Sequence, residues 1–556
     1  NIIKPEIKYM ILEIKNLKTF FYTRNEIVKA VNDINLNIAQ GEIHGIAGES
    51  GSGKSVMGLS IMKLLQHPGK IIDGNIIYKG NDLTKISEKK MSAIRGNEIS
   101  MIFQDATMSL NPILNIKTQM VEGILAHNNI NKNEAKKIAV NALKKVGIKD
   151  AENKINYYPH EFSGGMRQRV AIAIALINNP KLVIADEPTT ALDVTTQAQI
   201  LHLTQKLCRD NNTSLIWITH DLSVLSGLVD TISVMYKGEI VESGSVNKII
   251  DNPSHPYTKK LIDSLPVNKL SSYDEKKDIV LSIKKLNKIY SGRKDLITKF
   301  YTLFNKNKKN DENIAIKNLS LDIFNGEILG VVGESGCGKS TLGKIICEIL
   351  DKNSGEIFYQ NKKLSNSLKS NLDIQMVFQD PYSSLNPRKK VVDIIGEAAH
   401  VHKIVNKSDI KKYVSDLMIS CELSPSLMNR YPHEFSGGQR QRIAIARALA
   451  VKPSLLICDE IVSALDVSIQ AQILELINKL NKQNKLTIIF ISHDLSVVNY
   501  ISDRVAVMHL GEIVELDRSD KVFLKPSHSY TKALLANLPT IKDRSINYKP
   551  TLYTEE

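Results

Sequence analysis

The sequence predicts an α/β protein built as two tandem copies of one parallel-sheet domain. Long blocks recur along the 556 residues at nearly constant spacing, strand-length apolar runs punctuate both halves, and in each half one such run feeds straight into a glycine-rich loop. A chain this long exceeds one hydrophobic core and divides into domains.

GESGSGKS at 48–55 returns as GESGCGKS at 333–340, and MIFQD at 101–105 as MVFQD at 376–380. YPHEFSGGMRQR at 158–169 returns as YPHEFSGGQRQR at 431–442, and ITHDLSV at 218–224 as ISHDLSV at 491–497. Lys54 and Lys339 stand 285 positions apart and Gln104 and Gln379 275, whereas Ser163 and Ser436, Asp186 and Asp459, and His220 and His493 all stand 273 apart. One spacing held over three sites means one shared fold, with length changes confined to the front of the unit. The boundaries expected are a leader or gene-model extension over 1–9 ahead of Met10, a first domain over 10–266, a polar linker over 267–279, a second domain over 280–539 and a polar tail over 540–556.

The runs LVIADE, SLIWITH, SLLICDE and LTIIFISH lack polar alternation, as strands buried on both faces of a parallel sheet do. RQRVAIAIALINN and RQRIAIARALAV read as helices leading into those strands, and 106–156 and 381–430 as helical lobes. No run reaches the 18 apolar residues of a bilayer-crossing helix. The five cysteines form no CxxC pair, which speaks against a disulfide framework or a zinc site. Net charge is +14. Scattered lysines make this chiefly compositional; attraction to an anionic membrane surface and nucleic-acid binding are the other readings.

GxxxxGKS after a strand is the phosphate loop. Its glycines permit a tight turn whose N–H groups point inward, and the following helix N-terminus adds a dipole favourable to anions. The residues assigned to ATP are therefore Gly48, Glu49, Ser50, Gly51, Ser52, Gly53, Lys54, Ser55 and Val56, with Gly333, Glu334, Ser335, Gly336, Cys337, Gly338, Lys339, Ser340 and Thr341 in the second copy. Lys54 and Lys339 supply positive charge to the terminal phosphates; Ser55 and Ser340 offer hydroxyls to Mg²⁺. Asp186 and Asp459 each end an apolar strand, where a parallel sheet binds ligand, and suit the metal; Glu187 and Glu460 suit the attacking water. His220 and His493 each lie 34 residues beyond their aspartate at the end of another apolar run, and are assigned as γ-phosphate contacts.

Together these residues resemble the ATP-binding cassette (ABC) ATPases. FSGGMRQR and FSGGQRQR resemble the cassette signature, ADEPTTALD and CDEIVSALD the acidic strand with its following loop, and MIFQD and MVFQD the glutamine loop. The resemblance implies two P-loop NTPase domains, each with a RecA-like parallel-sheet core, an antiparallel β subdomain and a helical subdomain. It implies that each P-loop faces the other copy's signature in a head-to-tail pair. Ser163, Gly164 and Gly165 would then meet the second loop, and Ser436, Gly437 and Gly438 the first, with Asp193 and Asp466 beside them. Gln104 and Gln379 would join the Mg²⁺ site, and Phe21 and Tyr290 would stack on adenine; Phe20 and Tyr22 adjoin Phe21 and leave that choice open.

SLNP after each glutamine loop, and HPYTKKLIDSLP at 255–266 with HSYTKALLANLP at 528–539, resemble the narrower group of peptide-importer ATPases, which includes oligopeptide, dipeptide, glutathione, nickel and fused microcin-type systems. This implies a peripheral ATPase on the cytoplasmic face of the cell membrane. Its partners would be two integral-membrane permease subunits and an extracytoplasmic solute-binding protein, with no nucleic acid. Its ligands would be ATP and Mg²⁺. No iron–sulfur cluster is expected, because no cysteine follows His255 until Cys337. Pro188-Thr189 is replaced by Ile461-Val462 in the second copy, yet both active sites are expected to work. The insertion around 291–313 could form a helical face through Leu296, Phe300, Leu303 and Phe304, or a solvated loop. A ribosome-acting tandem ATPase is the rival class; the dozen-residue linker and the SLNP and HPYT features weigh against it. A DNA-repair ATPase with a coiled-coil insertion has no room between loop and acidic strand.

Overall fold

A computed structural model of the chain describes residues 9–23, 26–105, 109–190, 192–263, 278–291, 312–364, 372–463, 465–540 and 550–551. The expected leader, the 267–279 linker, the helical face suggested for the 291–313 insertion and the C-terminal tail lie wholly or largely outside them. The chain divides into two compact units, Asn1–Leu265 with Asn537–Pro550, and Pro266–Ala536 with Thr551–Glu556.

In the first unit β1 (Met10–Tyr22), β2 (Ile27–Ala39), β4 (Gly69–Tyr78) and β5 (Asn81–Asp82) form an antiparallel sheet in the order β2-β1-β4-β5. A second, mixed sheet runs β10-β9-β3-β8-β7-β6, from β3 (Ile43–Ala47), β6 (Ile99–Ile102), β7 (Leu182–Asp186), β8 (Ser214–Thr219), β9 (Thr231–Tyr236) and β10 (Glu239–Ser245). Only the β9–β10 edge pair of this sheet is antiparallel.

The apolar runs explain the arrangement. Every residue of β3, β7 and β8 is buried. Alternate side chains go to opposite faces. Leu182, Ile184, Ile216 and Ile218 pack into one core with the antiparallel sheet and the helix Lys54–Ile61. Val183, Ala185, Leu215 and Trp217 pack into another with the helices Ile116–Leu125, Lys132–Lys145 and Gly164–Leu176. Strands covered on both sides cannot alternate polar with apolar, which is why the sequence shows runs.

The second unit repeats this plan. β11 (Ile279–Ser291), β12 (Glu312–Phe324), β14 (Ser354–Tyr359) and β15 (Lys362–Lys363) pair in the order β12-β11-β14-β15. β13 (Ile328–Val332), β16 (Ile374–Val377), β17 (Leu455–Asp459), β18 (Thr487–Ile491), β19 (Arg504–His509) and β20 (Glu512–Arg518) follow the order β16-β17-β18-β13-β19-β20. The helices Val391–Val401 and Ile410–Ser420 stand where the sequence predicts the second helical lobe.

The copies diverge inside the core. Glu327, at the start of β13, is 0% exposed, accepts the Phe324 N–H, and is met by Arg504 at 3.2 Å. Burial pushes its carboxyl up, against the pull of Phe324 and Arg504. Glu42 in the first unit instead meets His44 and Thr231. Arg504→Met would strand a buried acid, which costs roughly 3 kcal/mol or more. Urea unfolding should show that loss in the second unit's transition, with the first unit's transition unmoved.

Candidate functional site

Each P-loop leaves the central strand of its sheet. β3 runs into Gly48–Gly53 and then into the helix Lys54–Ile61; β13 runs into Gly333–Gly338 and the helix Lys339–Ile346. Gly53 has φ +100°, and a Cβ there would stand 2.0 Å from the Ala30 carbonyl oxygen; Gly338 has φ +104° and the same clash, at 2.1 Å, with Ala315. Only glycine turns here and lies this close to the neighbouring strand.

Lys54 is 4% exposed and its Nζ donates to the carbonyls of Gly48 at 2.7 Å and Glu49 at 2.9 Å. Lys339 is 5% exposed and donates to Gly333 at 2.8 Å and Glu334 at 2.9 Å. The helix that follows has no acidic residue in its first turn in either copy. Its leading amides lack intrahelical partners and carry the positive end of the dipole, so the cradle suits a polyanion.

The acidic strands end beside these loops. Ser55 donates to Asp186 at 3.0 Å, and Ser340 to Asp459 at 2.8 Å. Burial pushes the Asp186 carboxyl up to about 6 and pushes Asp459 upward too, despite the serine and lysine that favour their charged forms.

The next residue turns sharply. Glu187 and Glu460 have φ +43° and +48°, unusual for a residue with a side chain, while their N–H groups stay tied to Ile218 and Ile491 of the adjacent strands at 2.9 Å. The turn aims each carboxylate at the glutamine and histidine of its own unit. Glu187 lies 2.9 Å from Gln104 Nε2 and 3.2 Å from His220 Nδ1; Glu460 lies 2.7 Å from Gln379 Nε2 and 3.3 Å from His493 Nδ1. Burial works against the charge on both glutamates, but histidine and lysine outweigh it and hold them below the usual carboxylate value. Burial likewise opposes charging of the histidines, and the glutamates raise them regardless. In each site carboxylate and imidazole thus favour each other's charged form.

The remaining predicted residues take these places. Ser163 and Ser436 cap the helices Gly164–Leu176 and Gly437–Leu449, accepting from Met166 and Gln439, and neither helix has an acid in its first turn. Gly165 and Gly438 lie against Thr196 and Ile469, where a Cβ would stand 2.6 and 2.4 Å away. Asp193 caps the helix Val194–Asp210 through Thr196 N–H, and Asp466 precedes the helix Val467–Asn484. Tyr290 reaches the P-loop helix of its own copy, its hydroxyl 3.5 Å from Thr341 Oγ1. Phe21 pairs with Val28 in β1–β2 as Tyr290 pairs with Asn313 in β11–β12.

One contact escapes the sequence reading. Thr190 donates to the Glu187 carboxylate at 3.1 Å. Ser463, its counterpart, donates to the Glu460 backbone carbonyl at 2.9 Å instead. The signal lay one position past the Pro-Thr/Ile-Val change noted between the copies.

Comparison with known proteins agrees with this geometry. The ABC transporter family profile matches residues 31–190 and 316–463. The profile of the oligopeptide/dipeptide transporter C-terminal region matches 241–292 and 514–554. The glutathione import ATP-binding protein GsiA of Pectobacterium atrosepticum is 39% identical, over 95% of this chain and 89% of that protein. The uncharacterized ABC transporter ATP-binding protein YejF of Escherichia coli K12 is 41% identical, over 95% and 99%. The GsiA of Escherichia coli K12 is 40% identical, over 95% and 89%.

The Thr190 contact separates the two sites experimentally. A hydrogen bond to a charged group is worth about 1.5 kcal/mol or more. With the second site silenced by Glu460→Gln, Thr190→Val should lower steady-state ATP turnover about ten-fold or more, whereas with the first site silenced by Glu187→Gln, Ser463→Ala should change it less than about two-fold, because Ser463 does not touch its carboxylate.

Proposed function

The chain belongs to the ABC transporter family, and we propose that its two cassettes power an importer for peptides or similar small solutes by hydrolysing ATP. One observation carries the reading: each cassette, by itself, assembles a complete set of triphosphate-handling groups at the C-terminal ends of neighbouring parallel strands.

Lys54 and Lys339 exchange their loop carbonyls for phosphate oxygens. The first-turn amides, which lack intrahelical partners, bind the remaining oxygens. Ser55 with Asp186, and Ser340 with Asp459, place a hydroxyl and a carboxylate within hydrogen-bond distance of each other. These are hard oxygen donors that fit Mg²⁺, and burial leaves each aspartate short of a cation to keep it charged. When bound, Mg²⁺ supplies charge neutralisation to the two outer phosphates. Glu187 and Glu460 orient the attacking water and take its proton; Gln104 and Gln379 hold the same carboxylates. His220 and His493, beside those glutamates, donate to the γ-phosphate.

In this reading the helix starts Ser163–Gly165 and Ser436–Gly438 each close on the other cassette's phosphates, and Asp193 and Asp466 flank that closure. Tyr290 and Phe21 stack on the adenines. The working boundaries are 10–266 and 280–539 with a linker between. Separate permease subunits and an external solute-binding protein complete the transporter, and this chain sits peripherally at the cytoplasmic face. No described helix is long and apolar enough to cross a membrane. The named GsiA relatives and the match to the oligopeptide/dipeptide transporter C-terminal region favour import over a role on ribosomes.

Changing both Glu187 and Glu460 to Gln should leave ATP binding intact and cut turnover about 100-fold or more. A double variant that turns over normally would remove both glutamates from the chemistry. Chelation by EDTA should stop hydrolysis by the native chain and added Mg²⁺ restore it. Affinity purification from solubilised membranes should bring down integral-membrane subunits; recovery of ribosomes instead would overturn the import reading.

A further inference from the structure

The HPYT and HSYT segments have so far carried only a resemblance. In the first cassette, Glu242 on β10 accepts hydrogen bonds from Ser254 N–H at 2.8 Å, Ser254 Oγ–H at 2.7 Å and His255 N–H at 3.1 Å. His255 Nδ1 then accepts the Tyr257 N–H at 3.1 Å. These bonds fix the start of the helix Pro256–Asp263 and turn Tyr257 inward, 8% exposed, with its ring stacked 4.1 Å from that of Tyr236. The Tyr257 hydroxyl accepts the N–H of Glu49, in the P-loop, at 3.1 Å.

The second cassette repeats every link. Glu515 accepts from Ser527 and His528, and His528 Nδ1 accepts from Tyr530 N–H. Tyr530 is 2% exposed, its ring lies 4.0 Å from that of His509, and its hydroxyl accepts the Glu334 N–H at 3.2 Å.

The Glu49 N–H and the Gly48 carbonyl belong to one peptide group. Tyr257 holds its nitrogen side, and Lys54 binds its oxygen side at 2.7 Å. In the second copy Tyr530 and Lys339 hold the 333–334 peptide between them in the same way. Such chained hydrogen bonds polarise one another. Gly48 and Gly333, at φ +156° and +152°, have no side chain to limit rotation of this peptide, so the two hydrogen bonds on its opposite sides fix its orientation. We propose that Tyr257 and Tyr530 are positioning residues for ATP binding, which hold the 48–49 and 333–334 peptides in the orientation that places the P-loop lysine and amides. The segment after each cassette thereby acts on nucleotide affinity without touching nucleotide.

This rests on the ATP-binding reading above, and the test separates the two. Tyr257→Phe with Tyr530→Phe removes two hydroxyls and keeps both ring contacts. In the full chain, the KM for MgATP and the equilibrium Kd for ADP should each rise about three- to ten-fold, kcat should fall by a smaller factor, and the melting temperature of the nucleotide-free chain should move by no more than about 3 °C. Unchanged KM and Kd, or a melting temperature that falls while affinity stays put, would overturn the proposal. A native chain that bound neither MgATP nor ADP would overturn the ATP-binding reading itself.

Discussion

A buried ammonium sets the terms for each half of this protein. Lys54 and Lys339 are almost fully removed from water. A charge in that position must be met by hydrogen-bond acceptors or abandon its proton. The P-loop meets it with its own carbonyls. That demand fixes the loop's path, and the path requires glycine where the chain grazes the Ala30 and Ala315 carbonyls. A triphosphate enters a site whose cation is already desolvated, so little further solvation is lost on binding.

The sheet supplies the matching rigidity. Loop, acidic strand, histidine and glutamine hang from the ends of strands that are hydrogen-bonded side by side, in the orders β3-β8-β7-β6 and β13-β18-β17-β16. Their mutual distances are set by ladder spacing and cannot drift singly. This accounts for the near identity of the two catalytic clusters in halves that differ in loop length and core pairs. Where they do differ, at Thr190 and Ser463, the difference sits in the turn after the strand, outside the ladder.

Much of this was legible in the sequence because the chemistry is local. Eight consecutive residues make a P-loop, and an apolar run ending in Asp-Glu places acids at a strand end. The buried strands, the helical lobes and the Ser55–Asp186 and Ser340–Asp459 pairs followed from such patterns. Three features did not. The positive φ of Glu187 and Glu460 reflects a backbone tie to Ile218 and Ile491, which no spacing reveals. The Thr190 contact with the Glu187 carboxylate, not made by Ser463, sits on residues that offer the same hydroxyl in both copies. The partnership of Tyr257 with Glu49 joins residues 208 positions apart, beyond any periodic signal. Chemistry carried by a motif can be read along the chain, whereas chemistry carried by a fold contact waits for the fold.

The clamp formed by Glu242 and Glu515 bears on where this polypeptide can be cut. A split gene product, or a protease, that severed the chain just after β10 would leave both sheets of the first cassette whole. The fragment would nonetheless lose the serine–histidine start of the next helix, and with it the back wall of its nucleotide pocket. The smallest half that keeps this clamp is therefore longer than its strands suggest, and includes Tyr257.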